Sequence, residues 1–195
     1  MPERNRVTPL GEIVAAPERG LVFGNRGCLH DAAGRIVRRQ ATLRWIACRL
    51  AFRSRRRPSA NVPDRYTGLY FLDDATAMAA GHRPCAECRR EDYRRVVDLL
   101  GLGGADAIDA QLAAERHGPR AVASPGSLPD GAFVLRNGEP CLVWRGALRP
   151  WSPGGYGAAV PFDEPLETIT PPSLVAVLRE GWEPLVPFVH PSATT

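Results

Sequence analysis

Cys85 and Cys88, in the run Cys-Ala-Glu-Cys, are the residues of this chain best spaced for chemistry. A two-residue gap lets both thiolates reach one tetrahedral ion from a tight turn. Backbone N–H groups of such a turn can point at the sulfurs and stabilise their negative charge. Thiol–disulfide exchange is the competing chemistry for a lone pair at this spacing. Redox pairs usually open a helix directly after a buried strand, whereas here a second, short helix precedes the pair.

A metal site needs further ligands. Cys48 is the best third, because a free cysteine within a basic strand has few other uses; its competing role is that of a small buried hydrophobe. Cys28 and His30 compete for the fourth place: two residues apart on a strand, they share a face. Cys28 would give a four-thiolate site and His30 three thiolates with one imidazole, both ordinary for structural zinc. His82 stands three residues before Cys85 and reads as an imidazole outside the ligand set. Cys141, between Pro140 and Leu142, reads as core. Four protein ligands would leave no open position, so the expected role of Zn2+ is to organise structure and not to activate water. Five cysteines, an odd number with one pair at metal spacing, favour a metal over disulfides.

The elements that must position these residues follow from turn signals and periodicity. Residues 7–20 read as an extended lead-in and 21–57 as strands and turns. Asp31-Ala-Ala-Gly34 is a turn between Cys28–His30 and Ile36–Val37, as in a hairpin. Leu43 to Phe52 reads as a strand carrying Cys48, residues 53–65 as a basic, Pro-containing loop, and Tyr66 to Leu72 as a strand. Asp73 or Asp74 caps a short helix that Gly81 ends. The knuckle follows, then a helix from Arg89 to Leu100 closed by Gly101.

Residues 105–117 form a weaker helix and 118–130 a linker. Strands over 132–136 and 140–144 are joined by Asn137-Gly138, a strong hairpin signal. Trp151 to Gly157 reads as a loop, and Pro171-Pro172 opens a last helix that ends at Gly181. The expected fold class is α+β. A small zinc-binding, arginine-rich module (1–104) leads through a helix and linker (105–127) to a β-rich module (128–195) with a C-terminal helix.

Phe71-Leu-Asp-Asp-Ala-Thr-Ala-Met-Ala-Ala-Gly-His-Arg-Pro-Cys-Ala-Glu-Cys-Arg, within Tyr66–Arg90, resembles the zinc-binding domain of the Ada DNA-repair protein. Similar modules are attached to some bacterial nucleases. The shared features are an aromatic strand, a short Ala-rich helix and a Gly-aromatic-Arg-Pro-Cys-x-x-Cys segment. The resemblance covers about an eighth of the chain, and it implies that Cys85 and Cys88 are zinc ligands. In the Ada type an earlier pair of cysteines is separated by three residues, and one accepts a methyl group from a DNA phosphotriester. Here the matching positions around Cys48 are Arg44 and Phe52. The paired motif is broken, and Cys48 is the one position onto which the acceptor role carries. The whole chain is also similar to a group of bacterial proteins with a Gly-His-Arg-Pro-Cys-x-x-Cys-Arg segment, which implies no activity.

All 25 basic residues are arginine, against 21 acidic ones, for a net charge of +4. Nine arginines lie between Arg35 and Arg57 with no acidic residue among them. Arg38, Arg39, Arg44, Arg49, Arg53, Arg55, Arg56 and Arg57, with Trp45 among them, are the candidate nucleic-acid contacts. Guanidinium forks match phosphate oxygens, and aromatics stack on bases. On a regular strand Arg49, Arg53, Arg55 and Arg57 would share a face. The competing reading is a solvated basic surface. DNA is favoured over RNA by the resemblance alone.

No apolar run is long enough to span a membrane, and the N-terminus lacks the apolar core of a signal peptide, so a cytoplasmic protein is expected. There is no phosphate-cradling glycine loop and no obvious pair of catalytic carboxylates. The expected function is a zinc-containing DNA-binding protein in repair or DNA processing. The alternatives are a DNA-acting enzyme and an intracellular protein-interaction module. The enzyme would be a phosphotriester scavenger through Cys48, or a nuclease or glycosylase in which Cys48, His30 and Asp31 are the candidate catalytic residues.

Overall fold

A computed structural model describes residues 2–53, the backbone of Arg55 and Arg56, and residues 66–195. Within these the chain is α+β, with two six-stranded sheets, a two-stranded ribbon and four α-helices. None of these helices is long and apolar enough to cross a membrane.

The first half opens with β1 (Arg4–Val7) and β2 (Ile13–Ala15), an antiparallel hairpin where the sequence suggested only an extended lead-in. Then come β3 (Val22–Asn25), β4 (Ile46–Cys48), β5 (Ala51–Phe52), β6 (Arg55–Arg56) and β7 (Leu69–Phe71). Helix α1 (Asp74–Ala79) leads to the short strand β8 (Arg83–Pro84) and to α2 (Arg90–Leu100). The first sheet runs β2-β1-β7-β3-β4-β8. It is mixed: β1 joins β7 and β4 joins β8 in parallel, while the other pairs are antiparallel.

The second half contains α3 (Ala105–His117), β9 (Val122–Ala123), β10 (Phe133–Arg136), β11 (Glu139–Trp144), β12 (Ala147–Ser152), β13 (Gly155–Tyr156), β14 (Leu166–Thr168) and α4 (Pro172–Arg179). Its sheet is antiparallel, in the order β13-β12-β11-β10-β14-β9. Asn137 and Gly138 take φ of 52° and 81°, the left-handed pair that a two-residue hairpin requires. The stretch expected as a loop at 151–157 is instead the hairpin of β12 and β13, pairing Trp151 with Tyr156. Its Pro and Gly residues lie in and beside the turn, which is why composition alone reads as loop.

Helix α1 is where the two halves meet. All six of its residues are buried. Ala77 packs into the core of the first sheet. Met78 packs with Val96, Ile108, Leu112, Leu174 and Trp182. Ala75 and Ala79 pack with Phe133, Leu142 and Tyr156 of the second sheet. The alanines suit such a position, because small side chains let neighbouring elements approach on every side.

Candidate metal centre

Three strand facts bring the cysteines together. β3 pairs antiparallel with β4, so Cys48 stands opposite Phe23 and Ile46 opposite Asn25. β4 pairs in parallel with β8, in the register Ile46 to Arg83 and Ala47 to Pro84. The N–H groups of Arg83 and Cys85 donate to the carbonyls of Trp45 and Ala47, at 3.0 and 2.9 Å. Pro84, between those donors on the edge strand, breaks no ladder bond. Cys85 therefore comes beside Cys48. The chain then turns, with Arg89 N donating to the Cys85 carbonyl at 3.0 Å, and Cys88 returns toward both.

The sulfurs of Cys48, Cys85 and Cys88 all lie within 4.8 Å of one another, and all three residues are buried. Zn–S bonds of about 2.3 Å set the sulfurs of a tetrahedral site about 3.8 Å apart. The donor set therefore fits a thiophilic metal ion. Phe23, Ile46, Phe52, Tyr66 and Tyr70 pack around it. One of the three thiols, that of Cys85, is favoured as thiolate over the other two. The Cys85 thiol is pulled far down by the side chains of Cys48 and Cys88 and by the N–H groups of Cys88 and Glu87. Cys48 is pushed well up by its two sulfur neighbours and by burial. The backbone N–H of Arg49 donates to the Cys88 sulfur at 3.5 Å. Three sulfurs thus crowd together, with one held as thiolate at the expense of another, and a divalent cation would relieve that competition.

The structure does not bring Cys28 or His30 to this cluster. Antiparallel pairing carries β3 away from Cys48 as the chain runs from Phe23 toward residue 28. The Cys28 thiol donates to the His30 carbonyl at 3.7 Å, and His30 Nδ1 pairs with Thr67 Oγ1 at 2.6 Å. The expected hairpin around them is reduced to one bridge, His30 to Ile36. Among the described residues no fourth Cys, His, Asp or Glu completes the group. Asp31 is engaged in its turn: its carboxylate accepts from Ala33 N and Arg35 N and pairs with the Arg35 guanidinium. His30 and Asp31 are thus structural members of a turn, apart from the cysteines.

The arginine segment is less regular than a single strand. β4 ends at Cys48, and Arg53 takes φ of 51°, so Arg49 and Arg53 do not continue one strand face. Arg38, Arg39, Arg44 and Arg53 are exposed, and Arg49 is half-buried. Arg44 faces Asp106 at 3.4 Å. Trp45 is only 6% exposed and is covered by two guanidiniums, so it cannot stack on a base as expected. Arg57 and the side chains of Arg55 and Arg56 lie outside the described residues, as does most of the 53–65 loop.

Sequence reasoning missed the ionic frame that holds the knuckle. Arg89, directly after Cys88, is fully buried and bonds both carboxylate oxygens of Asp74 at 2.6 and 2.9 Å. It also bonds Asp92 at 2.7 Å. Arg83, two residues before Cys85, grips Asp109 through two contacts of 2.8 Å. Each end of the knuckle is thereby tied to a helix. The available signal was the pair of arginines flanking Pro-Cys-Ala-Glu-Cys. No family model, curated protein or solved structure matches the chain.

Proposed function

We propose that this is a zinc-containing DNA-binding protein of DNA repair or processing, in which the metal is mainly structural; its fourth position is left to a ligand other than the Cys, His, Asp and Glu side chains of the described residues. The observation that carries the reading is the buried cluster of Cys48, Cys85 and Cys88 on a sheet edge and a helix-opening turn. Thiolates favour zinc, copper(I) and iron–sulfur clusters, and of these zinc brings no redox chemistry of its own. Bound there, it would hold the β4 edge against the knuckle and so fix the start of α2. Arg38 and Arg53 are exposed and have no carboxylate partner among the described residues, which suits them to phosphate contact. A methyl-acceptor role for Cys48 is disfavoured by its burial at 2% exposure among aromatic neighbours.

Elemental analysis of the purified full chain is the first test. One zinc per chain is expected, lost in Cys85→Ser; a folded, metal-free wild type would overturn the metal centre. Duplex binding across salt is the second. The slope of log affinity against log salt should fall by about 1 for each of Arg38→Ala and Arg53→Ala if each meets one phosphate. Binding that ignores salt would remove the DNA reading and favour a protein-interaction module.

A further inference from the structure

Among the described residues three arginines are buried, and two of them have carboxylates. Arg83 grips Asp109, and Arg89 grips Asp74 and Asp92. Arg26 is 0% exposed and has none. Its Nε donates to His82 Nε2 at 3.2 Å and its Nη1 to the Gly11 carbonyl at 2.8 Å, while Nη2 donates to nothing. A buried cation without an anion is the arrangement folded proteins avoid.

The surroundings of Arg26 add more unmet donors. Its guanidinium carbon lies 3.6 Å from the centre of the Trp45 ring, and that of Arg116 lies 4.2 Å from the same ring. Trp45 Nε1 and Arg116 Nε are also buried without a partner. Three unmet N–H donors and two cations therefore gather at one indole. Burial and the charges of Arg116 and Arg39 weaken the hold of Arg26 on its proton. Burial likewise brings Arg116 down to about 10. His82 is held neutral by its burial and by the charges of Arg26 and Arg116.

This cluster backs onto a cleft of about 560 Å³ whose wall includes Gly11, Arg39, Trp45 and Arg116. The two acidic residues on the cleft are already engaged. Glu115 accepts from Ser173 N and Oγ and from Gln111. Glu167 faces Arg120 at 3.5 Å. Neither offsets Arg26. The cleft is larger than an inorganic oxyanion needs and falls in the range of small-ligand sites.

We propose that this cleft is a binding site for a phosphate monoester, whose dianionic group is held at Trp45 and Arg116 in the field of Arg26 and Arg39. Arg39 and Arg116 on the wall, the unmet N–H donors of Trp45 and Arg116, and Arg26 behind them suit a phosphate dianion better than a single carboxylate. The ligand is either a free molecule, such as a nucleoside monophosphate, or the phosphorylated end of a nucleic-acid strand. None of the three clustered cysteines lines the cleft.

Calorimetric titration of the full chain, in chloride buffer, tests it with four probes: inorganic phosphate, a nucleoside 5′-monophosphate, and one short single strand bearing either a 5′-phosphate or a 5′-hydroxyl. The expected result is one saturable phosphate site per chain. It should weaken by about tenfold or more in Arg116→Gln and in Arg26→Met, which lose a charged donor or the field behind it. Arg26→Met replaces an unpaired buried charge by an apolar chain and should keep the wild-type circular dichroism; Arg116→Gln, half-buried, gives an independent reading. A strand that binds through its 5′-phosphate and not its 5′-hydroxyl assigns a strand end. Binding of the mononucleotide without that preference assigns a free ligand. No saturable binding by any phosphate probe, or equal affinity in both variants, would overturn the site.

Discussion

Asp73 shows how one side chain can hold two halves of a molecule. It is fully buried and accepts from Thr76 N and Oγ1, from Tyr156 Oη and from His190 N. The first two bonds cap α1, and the others reach residues far along the chain. Burial raises its pKa above 3.8, although the four bonds oppose that. The native state therefore holds this proton more tightly than the unfolded state. The contribution is most favourable below 3.8 and is lost as pH rises through the native value. Urea midpoints of Asp73→Asn measured upward from about pH 4 should show a shallower decline over that window than wild type. At neutral pH the variant should be about 1–3 kcal/mol less stable, because an amide cannot accept all four bonds. An unchanged decline would place the titration at another group. Residues of this kind were half legible. The helix cap could be read from Asp73 and the Ala-rich run after it, but the bonds to Tyr156 and His190 could not, since nothing local records them. The cysteines divide in the same way. Cys85 and Cys88 are marked by spacing and Cys48 by its basic strand, whereas excluding Cys28 required knowing which way β3 runs.

At the scale of elements, α1 is too short to persist alone. Isolated helices below about 12–15 residues are marginal in water, and this one has six. It exists because three clusters of apolar side chains close around it. Met78→Ala should cost about 2–5 kcal/mol, read as a fall in denaturant midpoint with an unchanged slope. Gly81, which ends the segment, has φ of 79°, and a Cβ there would sit 2.7 Å from Arg116 Cδ. Both the turn and the neighbouring arginine therefore require glycine. Helix α2 was legible from its apolar spacing and Gly101, and α4 from Pro171-Pro172 and Gly181, while α3 read only as a weaker helix. The short strands were not. β8 has two residues, one of them proline, and its identity comes wholly from its parallel partner β4. β12 and β13 were hidden by the Pro and Gly of their own turn.

For the whole molecule, the sequence suggested a zinc module and a β-rich module separated by a linker. The structure places substantial packing across that division. α3, within the expected linker region, contributes Ile108 and Leu112 to the cluster that contains Met78, Val96 and Leu174. Trp151 Nε1 donates to Thr76 Oγ1 at 3.2 Å. A chain ended at residue 127 would leave α1 without Phe133, Leu142 and Tyr156. Its thermal unfolding should be broad and non-cooperative, followed by circular dichroism, even with the metal supplied. A sharp transition in that fragment would show that the first sheet folds alone. The composition of the division, rich in Pro, Gly and Ser, suggested separate units; the partners that bury α1 lie too far along the chain for composition to reveal.

The parallel pairing of β4 with β8 has a consequence in time. Cys48 cannot meet Cys85 until the whole segment between them has looped back, and contacts across such separations form slowly and at an entropic cost. The centre should therefore assemble late, after the rate-limiting barrier. Interactions made after that barrier slow escape from the native state without hastening arrival there. Chelation should accordingly accelerate unfolding in stopped-flow jumps while leaving the refolding limb nearly unchanged. The three sulfurs would then govern how long the folded molecule lasts, and the packing around α1 how soon it forms.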